Sequence, residues 1–270
     1  IGLENGKHQF AVRAIDHHFN VSLLESLAII VKTEAPDISI VNLATGDIIS
    51  GEFYVKGRIE DDDFSAFQLF ISDSELTKIP SLQDDPNPEA PYQLLFDAAV
   101  KPRTETLARL NTADWEDGDY LIWLTAQDRL EHSSVFKVMI RTDNTPPVVT
   151  ILAPKANERV LKQVTISIVA SDVHLDNYRL DYSTNRTANE WLQIYVRGDL
   201  YQRDESGRLK PLELQRVETQ QEWEVPIKEG LVWIRLLATD IADNTKSQDI
   251  QVEIPTAVIT RKGGTNSPDD

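Results

Sequence analysis

The residues in this chain with the most to offer chemically are acidic and clustered. Asp61, Asp62 and Asp63 are consecutive, Asp143 precedes Asn144 at a proline-rich join, and Asp16 and Asp128 each end an Ala-x-Asp triplet. Groups of hard oxygen donors suit calcium, which takes six to eight oxygens at 2.3–2.6 Å. Asp61, Asp62, Asp63, Asp143 and Asn144 are therefore the candidate metal ligands, and calcium is the one cofactor the sequence suggests. Two features weigh on the other side. No Asp-x-Asp-x-Asp-Gly loop is present, and three adjacent carboxylates on a strand cannot all face one ion, because successive side chains point to opposite faces. The Ala-x-Asp carboxylates also have an ordinary structural use, accepting backbone N–H groups to close a turn.

Other chemistries find less support. His17 and His18 are adjacent, but no third ligand accompanies them, and a metal site needs a fuller ligand set with an orienting shell; a surface turn is expected. Gly-x-Ser-x-Gly, His-Glu-x-x-His and a glycine-rich phosphate loop are all absent from the sequence, so no catalytic residue is nominated and the chain is not expected to be an enzyme. Trp115, Trp123, Trp191, Trp223 and Trp233 could offer a stacking platform for sugars, against the default of rings buried in strands. Arg197-Gly-Asp199 spells an adhesion tripeptide of very low information content. Asn20-Val-Ser and Asn185-Arg-Thr are glycosylation acceptors only in a eukaryotic secretory route.

The 44 acidic residues outnumber the 27 basic ones and give a net charge of −17, with most of the excess between residues 36 and 146. That surface repels phosphate backbones, so no nucleic-acid partner is expected. The absence of cysteine removes disulfides and thiolate sites. No apolar run is long enough to span a membrane as a helix. The chain opens at Ile1 without a signal segment, and is expected to be part of a longer protein whose neighbouring domains are its first partners.

Internal repetition organises the sequence. The phrases Gly6–Asp16, Gly118–Asp128 and Gly230–Asp240 share a Gly, alternating apolar residues and a closing Ala-x-Asp, each 112 residues from the next. A second landmark, Pro36–Ile40, recurs at Pro147–Ile151, and at the same offset of 111 Val55 falls on Ile166, Asp61 on Asp172 and Leu69 on Leu180. The apolar residues alternate with period two, as in Tyr120/Ile122/Leu124/Ala126, which is the signature of a strand with one buried face. Short runs of this kind separated by Asn, Asp, Gly and Pro predict an all-β fold of antiparallel sandwiches. Leu107–Leu110 and Leu212–Val217 could form single helical turns. Residues 73–92 and 197–219 read as long loops, where recognition would be sought.

The Gly…Ala-x-Asp…Asn pattern, with Asn20 and Asn244 four residues after Asp16 and Asp240, resembles the C-terminal half of bacterial immunoglobulin-like (fibronectin type III-like) domains. The join Asp143-Asn-Thr-Pro-Pro-Val-Val-Thr-Ile151 looks like the linker between such domains in tandem, and Gly6–Ser22 also resembles the triple-tyrosine domain of periplasmic sensors. His132 stands where the pattern has Asn, so the middle turn is expected to match imperfectly. The resemblance implies the closing strands of one immunoglobulin-like domain at 1–35, whole sandwiches at 36–146 and 147–255, and a polar linker or tail at 256–270. It implies a non-catalytic spacer or presentation segment of a bacterial surface, secreted or periplasmic-sensor protein. The alternative is a ligand-binding module for calcium-dependent adhesion or for carbohydrate, acting through loops 73–92 and 197–219 on a protein or glycan partner.

Overall fold

A computed structural model describes residues 2–76, 92–99, 105–185, 190–198, 200–205, 209–211 and 216–256. No helix occurs among them. The fold is all-β and antiparallel, with immunoglobulin-like sandwich architecture. Cα proximity divides the chain into two compact units: unit 1 comprises Ile1–Thr45, Glu52–Leu110 and Asp119–Ile140, and unit 2 comprises Gly46–Gly51, Asn111–Gly118 and Arg141–Asp270.

Unit 1 begins with the hairpin β1 (Gly6–Val12) and β2 (Glu25–Val31), paired from Gly6↔Val31 to Val12↔Glu25. Most of its apolar side chains stay exposed, Val12 at 69% and Ile30 at 73%, while Ile29 and Val31 are half-buried. Then follow β3 (Asp37–Ile40), β4 (Asp47–Ile49, counted with unit 2), β5 (Glu52–Glu60), β6 (Phe64–Asp73), β7 (Tyr92–Ala98), β8 (Thr106–Asn111), β9 (Gly118–Asp128) and β10 (Ser133–Thr142). Strands β3-β5-β8 form one sheet, and β10-β9-β6-β7 run side by side in another. The inward faces follow from the alternation in sequence: Val55 and Ile59 on β5, Phe67 and Leu69 on β6, and Ile122, Leu124 and Ala126 on β9 are all buried. The opposite face of the second sheet is covered as well. Phe70, Leu121 and Trp123 cluster there, and the Trp123 indole N–H donates to Ser72 Oγ at 2.9 Å.

Unit 2 repeats the plan with β11 (Val148–Ala153), β12 (Gln163–Ser171), β13 (Leu175–Ser183), β14 (Leu192–Arg197), β15 (Tyr201–Arg203), β16 (Leu209–Pro211), β17 (Arg216–Glu224), β18 (Gly230–Asp240) and β19 (Thr245–Ile254). The sheets are β11-β12-β17 and β14-β13-β18-β19. One continuous core lies between them: Ile166 and Ile168 from the first sheet meet Leu180, Ile234, Leu236 and Val252 from the second. The crossing from β12 to β13, into the other sheet, is what makes the sheets face each other across this core rather than extend edge to edge.

Two local expectations need correction. Leu107–Leu110 is not a helical turn but part of strand β8, with Leu107 and Leu110 buried. Leu-x-x-Leu spacing has the helical period, but the strand alternation is carried by Ala108 and Leu110, two apart and both buried with Arg109 exposed between them. The 197–219 stretch is not a plain loop: Tyr201–Arg203 pairs with Leu209–Pro211, Leu200 is buried in the core, and Arg216 onward pairs along β12. The remainder of that stretch, residues 212–215 of the other expected helical turn, and residues 77–91 of the first loop lie outside the described residues.

Each repeated glycine opens a strand as expected, and two of them need to be glycine: Gly6 and Gly230 adopt φ of 134° and 113°, values that side-chain-bearing residues avoid. Gly57 is required for a different reason. A Cβ there would lie 2.5 Å from both Leu107 Cδ1 and the Ser39 carbonyl oxygen. Gly57→Ala is therefore expected to lower unit 1 stability by about 1–3 kcal/mol, measured by denaturant unfolding, while Gly198→Ala, which meets nothing closer than 3.9 Å, stays near wild type.

Candidate functional site

The thrice-repeated phrase ends each time in the same turn. Asp16 Oδ1 accepts the backbone N–H groups of His18 and Asn20 at 2.8 and 2.9 Å. Asp128 Oδ1 accepts those of Leu130 and His132, both at 2.9 Å. Asp240 Oδ1 accepts those of Ala242 and Asn244, both at 2.8 Å. The residue before the last donor has positive φ in every copy: Phe19 at 64°, Glu131 at 68° and Asp243 at 66°. The second carboxylate oxygen is held by the fourth residue's side chain: Asn20 Nδ2 at 2.8 Å, His132 Nδ1 at 2.9 Å and Asn244 Nδ2 at 2.8 Å. The middle turn is thus fully matched, contrary to expectation, because a ring nitrogen two bonds from Cβ reaches where the amide nitrogen does. Asp16 and Asp128 are turn-formers.

What surrounds the carboxylate differs between copies. In unit 1 the Lys32 ammonium lies 2.8 Å from Asp128 Oδ2 and 2.7 and 2.6 Å from the two oxygens of Asp61. Both aspartate side chains are buried, at 0% and 3% exposure, and Lys32 is mostly covered. Burial by itself would raise the Asp128 carboxyl, but the Lys32 ammonium, the His132 ring and the two N–H groups hold it far below the ordinary carboxylate range. Burial likewise works against the charge on Lys32, and its bonds to Asp128 and Asp61 outweigh it, so its pKa is raised. Asp61 Oδ1 also accepts the Asp63 N–H at 2.6 Å. Asp63 lies 3.7 Å from the Arg129 guanidinium, and Asp62 is exposed. Of the three consecutive candidates, then, the structure turns Asp61 inward onto a lysine and leaves the other two at the surface side.

In unit 2 the positions carry other residues. Asp143 Oδ2 lies 2.5 Å from His174 Nδ1, and its backbone carbonyl accepts Asn244 Nδ2 at 2.6 Å. Asp172 Oδ1 accepts the His174 N–H at 2.7 Å. Ligand atoms of Asp143, Asp172 and His174 all lie within 4.8 Å of one another. Asn144 is committed elsewhere: its Nδ2 donates to the Thr112 and Trp115 carbonyls at 2.8 and 3.1 Å, and its Oδ1 accepts the Thr112 hydroxyl at 2.9 Å. Burial raises the Asp172 carboxyl, with nearby Asp143 and Asp117 adding to it against the His174 N–H. Burial also pushes Asp240 up to about 6, the Asn244 bonds opposing and Asp143 reinforcing.

The five nominated residues therefore fall into two sets, Asp61, Asp62 and Asp63 in unit 1 and Asp143 and Asn144 in unit 2. Lys32, Asp172, His174 and Asp240 were missed. The signal that could have found them is the 111–112 register, in which Lys32, Asp61, Asp63 and Asp128 fall on Asp143, Asp172, His174 and Asp240. None of the five tryptophans is exposed; the Trp191 ring lies 3.8 Å beneath the Arg235 guanidinium. His17 and His18 are exposed in the first turn, as expected. Asp199 of the Arg-Gly-Asp tripeptide lies outside the described residues.

No family model matches the chain, and no curated protein matches it. Among solved structures it is similar to a tetra-tandem repeat from the extending region of a large adhesion protein, at 13% identity and a TM-score of 0.30, covering 93% of this chain and 57% of that one. It is also similar to Escherichia coli alpha-2-macroglobulin activated by porcine elastase, at 9% identity and a TM-score of 0.30, covering 94% and 25%. Mouse clustered PcdhgC3 EC1-3 aligns at 10% identity and a TM-score of 0.25, covering 94% and 78%. The chain thus spans about half and a quarter of the first two, and scores at this level carry no functional weight.

Two outcomes follow from the buried charges. Lys32→Ala leaves Asp61 and Asp128 buried without their cation and is expected to destabilise unit 1 by about 3–5 kcal/mol at pH 7, measured by urea melts. For Asp240 the folded-state pKa lies above the unfolded value, so its protonated form favours folding below about pH 4 and that contribution is lost as pH rises through about 6. In chelator-containing buffer, unit 2 is expected to lose roughly 2–3 kcal/mol between pH 4 and pH 7, and Asp240→Asn to flatten that slope.

Proposed function

We propose that this chain is a non-catalytic structural segment, a spacer or presentation module of a larger surface, secreted or periplasmic protein of bacterial type. The observation that carries this reading is where the chemically capable side chains are spent. Asp16, Asp128 and Asp240 close turns, Lys32 neutralises buried carboxylates, and Asn144 bridges Thr112 and Trp115. Groups that could act on a substrate instead hold strands together, in a unit repeated at a fixed length. The excess of acidic residues keeps such a surface soluble and self-repelling.

A spacer must stay folded under tension. Single-molecule pulling on the chain is expected to give two separate unfolding events, each releasing about 35–40 nm of contour length for roughly 110 residues at 3.6 Å apiece. A single event, or extension without a resolvable force peak, would remove the spacer reading.

A further inference from the structure

The two units place their cations by different means, and the comparison points to an ion. In unit 1 the carboxylates of Asp61 and Asp128 converge on one fixed positive charge, the Lys32 ammonium, at 2.6 and 2.8 Å. Unit 2 keeps the frame: the Asp172–His174 turn bond of 2.7 Å reproduces the Asp61–Asp63 bond of 2.6 Å, and Asp240 reproduces the turn of Asp128. In the register position of the lysine stands Asp143, so Asp143 and Asp172 meet with no ammonium between them, beside Asp240, whose two oxygens are spent on its own turn. Asp143 is 5% and Asp240 1% exposed. Among the described residues no lysine or arginine forms an ion pair with any of the three, and the one basic group in reach is His174, whose side chain is 12% exposed. Buried carboxylates left uncompensated are costly.

We propose that unit 2 binds a divalent metal ion through Asp143, Asp172 and the Nδ1 of His174, at the place where unit 1 carries the Lys32 ammonium. This goes beyond the spacer reading and does not depend on it. The second oxygen of Asp172 holds no hydrogen bond among the described residues, so it is free to ligate. Two carboxylates and an imidazole form a mixed oxygen–nitrogen set, which suits zinc or a similar first-row ion; calcium would want six to eight oxygens. The ligand atoms lie within 4.8 Å of one another, against about 3.3 Å between ligands of a tetrahedral zinc. The ion enters by breaking the His174–Asp143 hydrogen bond. Nδ1 then gives its lone pair to the metal and the ring keeps one proton, on Nε2; a neutral Nδ1–H imidazole shifts its proton to Nε2 through solvent with no net release, and an imidazolium gives up one proton.

Zinc chloride titrated into the chelator-stripped chain, followed by calorimetry and by thermal melts, tests this. The expected result is one saturable site and a rise of several degrees in the melting of unit 2. Asp172→Asn keeps the oxygen that accepts the His174 N–H, and is expected to weaken zinc at least tenfold while still folding. The double variant Asp143→Lys/His174→Asp installs the unit 1 arrangement, and is expected to fold and to melt identically with and without zinc. Melting of the wild type that ignores zinc at 1 mM would overturn the proposal. So would equal zinc affinity in wild type and Asp172→Asn, which would place the ion on histidines elsewhere. A response to calcium chloride without one to zinc would overturn the assignment of His174 as a ligand.

Discussion

An aspartate carboxylate buried at the end of the longest strand is the constraint around which each unit is arranged. The strand must reverse within four residues, and doing so orphans backbone N–H groups that water reaches poorly. One carboxylate oxygen takes two of them, and the other takes a side-chain nitrogen. The turn then admits one residue at positive φ, and that position is occupied by Phe19, Glu131 and Asp243 in turn. The identity of that residue is free because only its backbone matters. The aspartate is more constrained, since an amide in its place could offer its oxygen to the two backbone N–H groups but would turn its NH2 onto the side-chain donor that holds the second oxygen.

The solution creates a second problem, which the two units solve separately. A buried anion needs a counter-charge as well as hydrogen bonds. Lys32 reaches it along an extended side chain from the residue just past β2, and so ties the start of unit 1 to the ends of β5 and β9. In unit 2 the lysine position holds Asp143, and a basic group appears instead at the position of Asp63, as His174. The charge has moved by one place in the constellation while the backbone frame has stayed. A lysine is a permanent cation; an imidazole is one only when protonated, and when neutral it is a ligand. The same scaffold is thus closed by a covalently attached cation in unit 1, and the metal proposed for unit 2 would supply an exchangeable one at the equivalent place.

Much of this was legible in the sequence. Period-two alternation identified β5, β9, β12 and β18 because each has one face against a core, and the 112-residue recurrence of Gly…Ala-x-Asp located their turns. The turn-forming role of Asp16 and Asp128 followed from that pattern. The counter-charges did not. Lys32 and Asp61 are 29 residues apart and meet only through tertiary folding, and no local pattern marks a lysine as buried. Reading opposite charges at equivalent repeat positions, Lys32 against Asp143, would have exposed the exchange. The strands within 197–219 were obscured for a related reason: β15 and β16 are three residues each, too short for any periodicity.

The direct measurement is an NMR titration of the Asp128 and Asp240 side-chain carboxyls in the metal-free chain. If the buried turn and its counter-charge govern the structure as described, Asp128 stays ionised to the lowest pH at which unit 1 remains folded, while Asp240, in an otherwise identical turn, takes up its proton near pH 6. Coincident titration of the two in the ordinary carboxylate range, near pH 4, would show that neither burial nor the lysine matters, and would contradict the central claim.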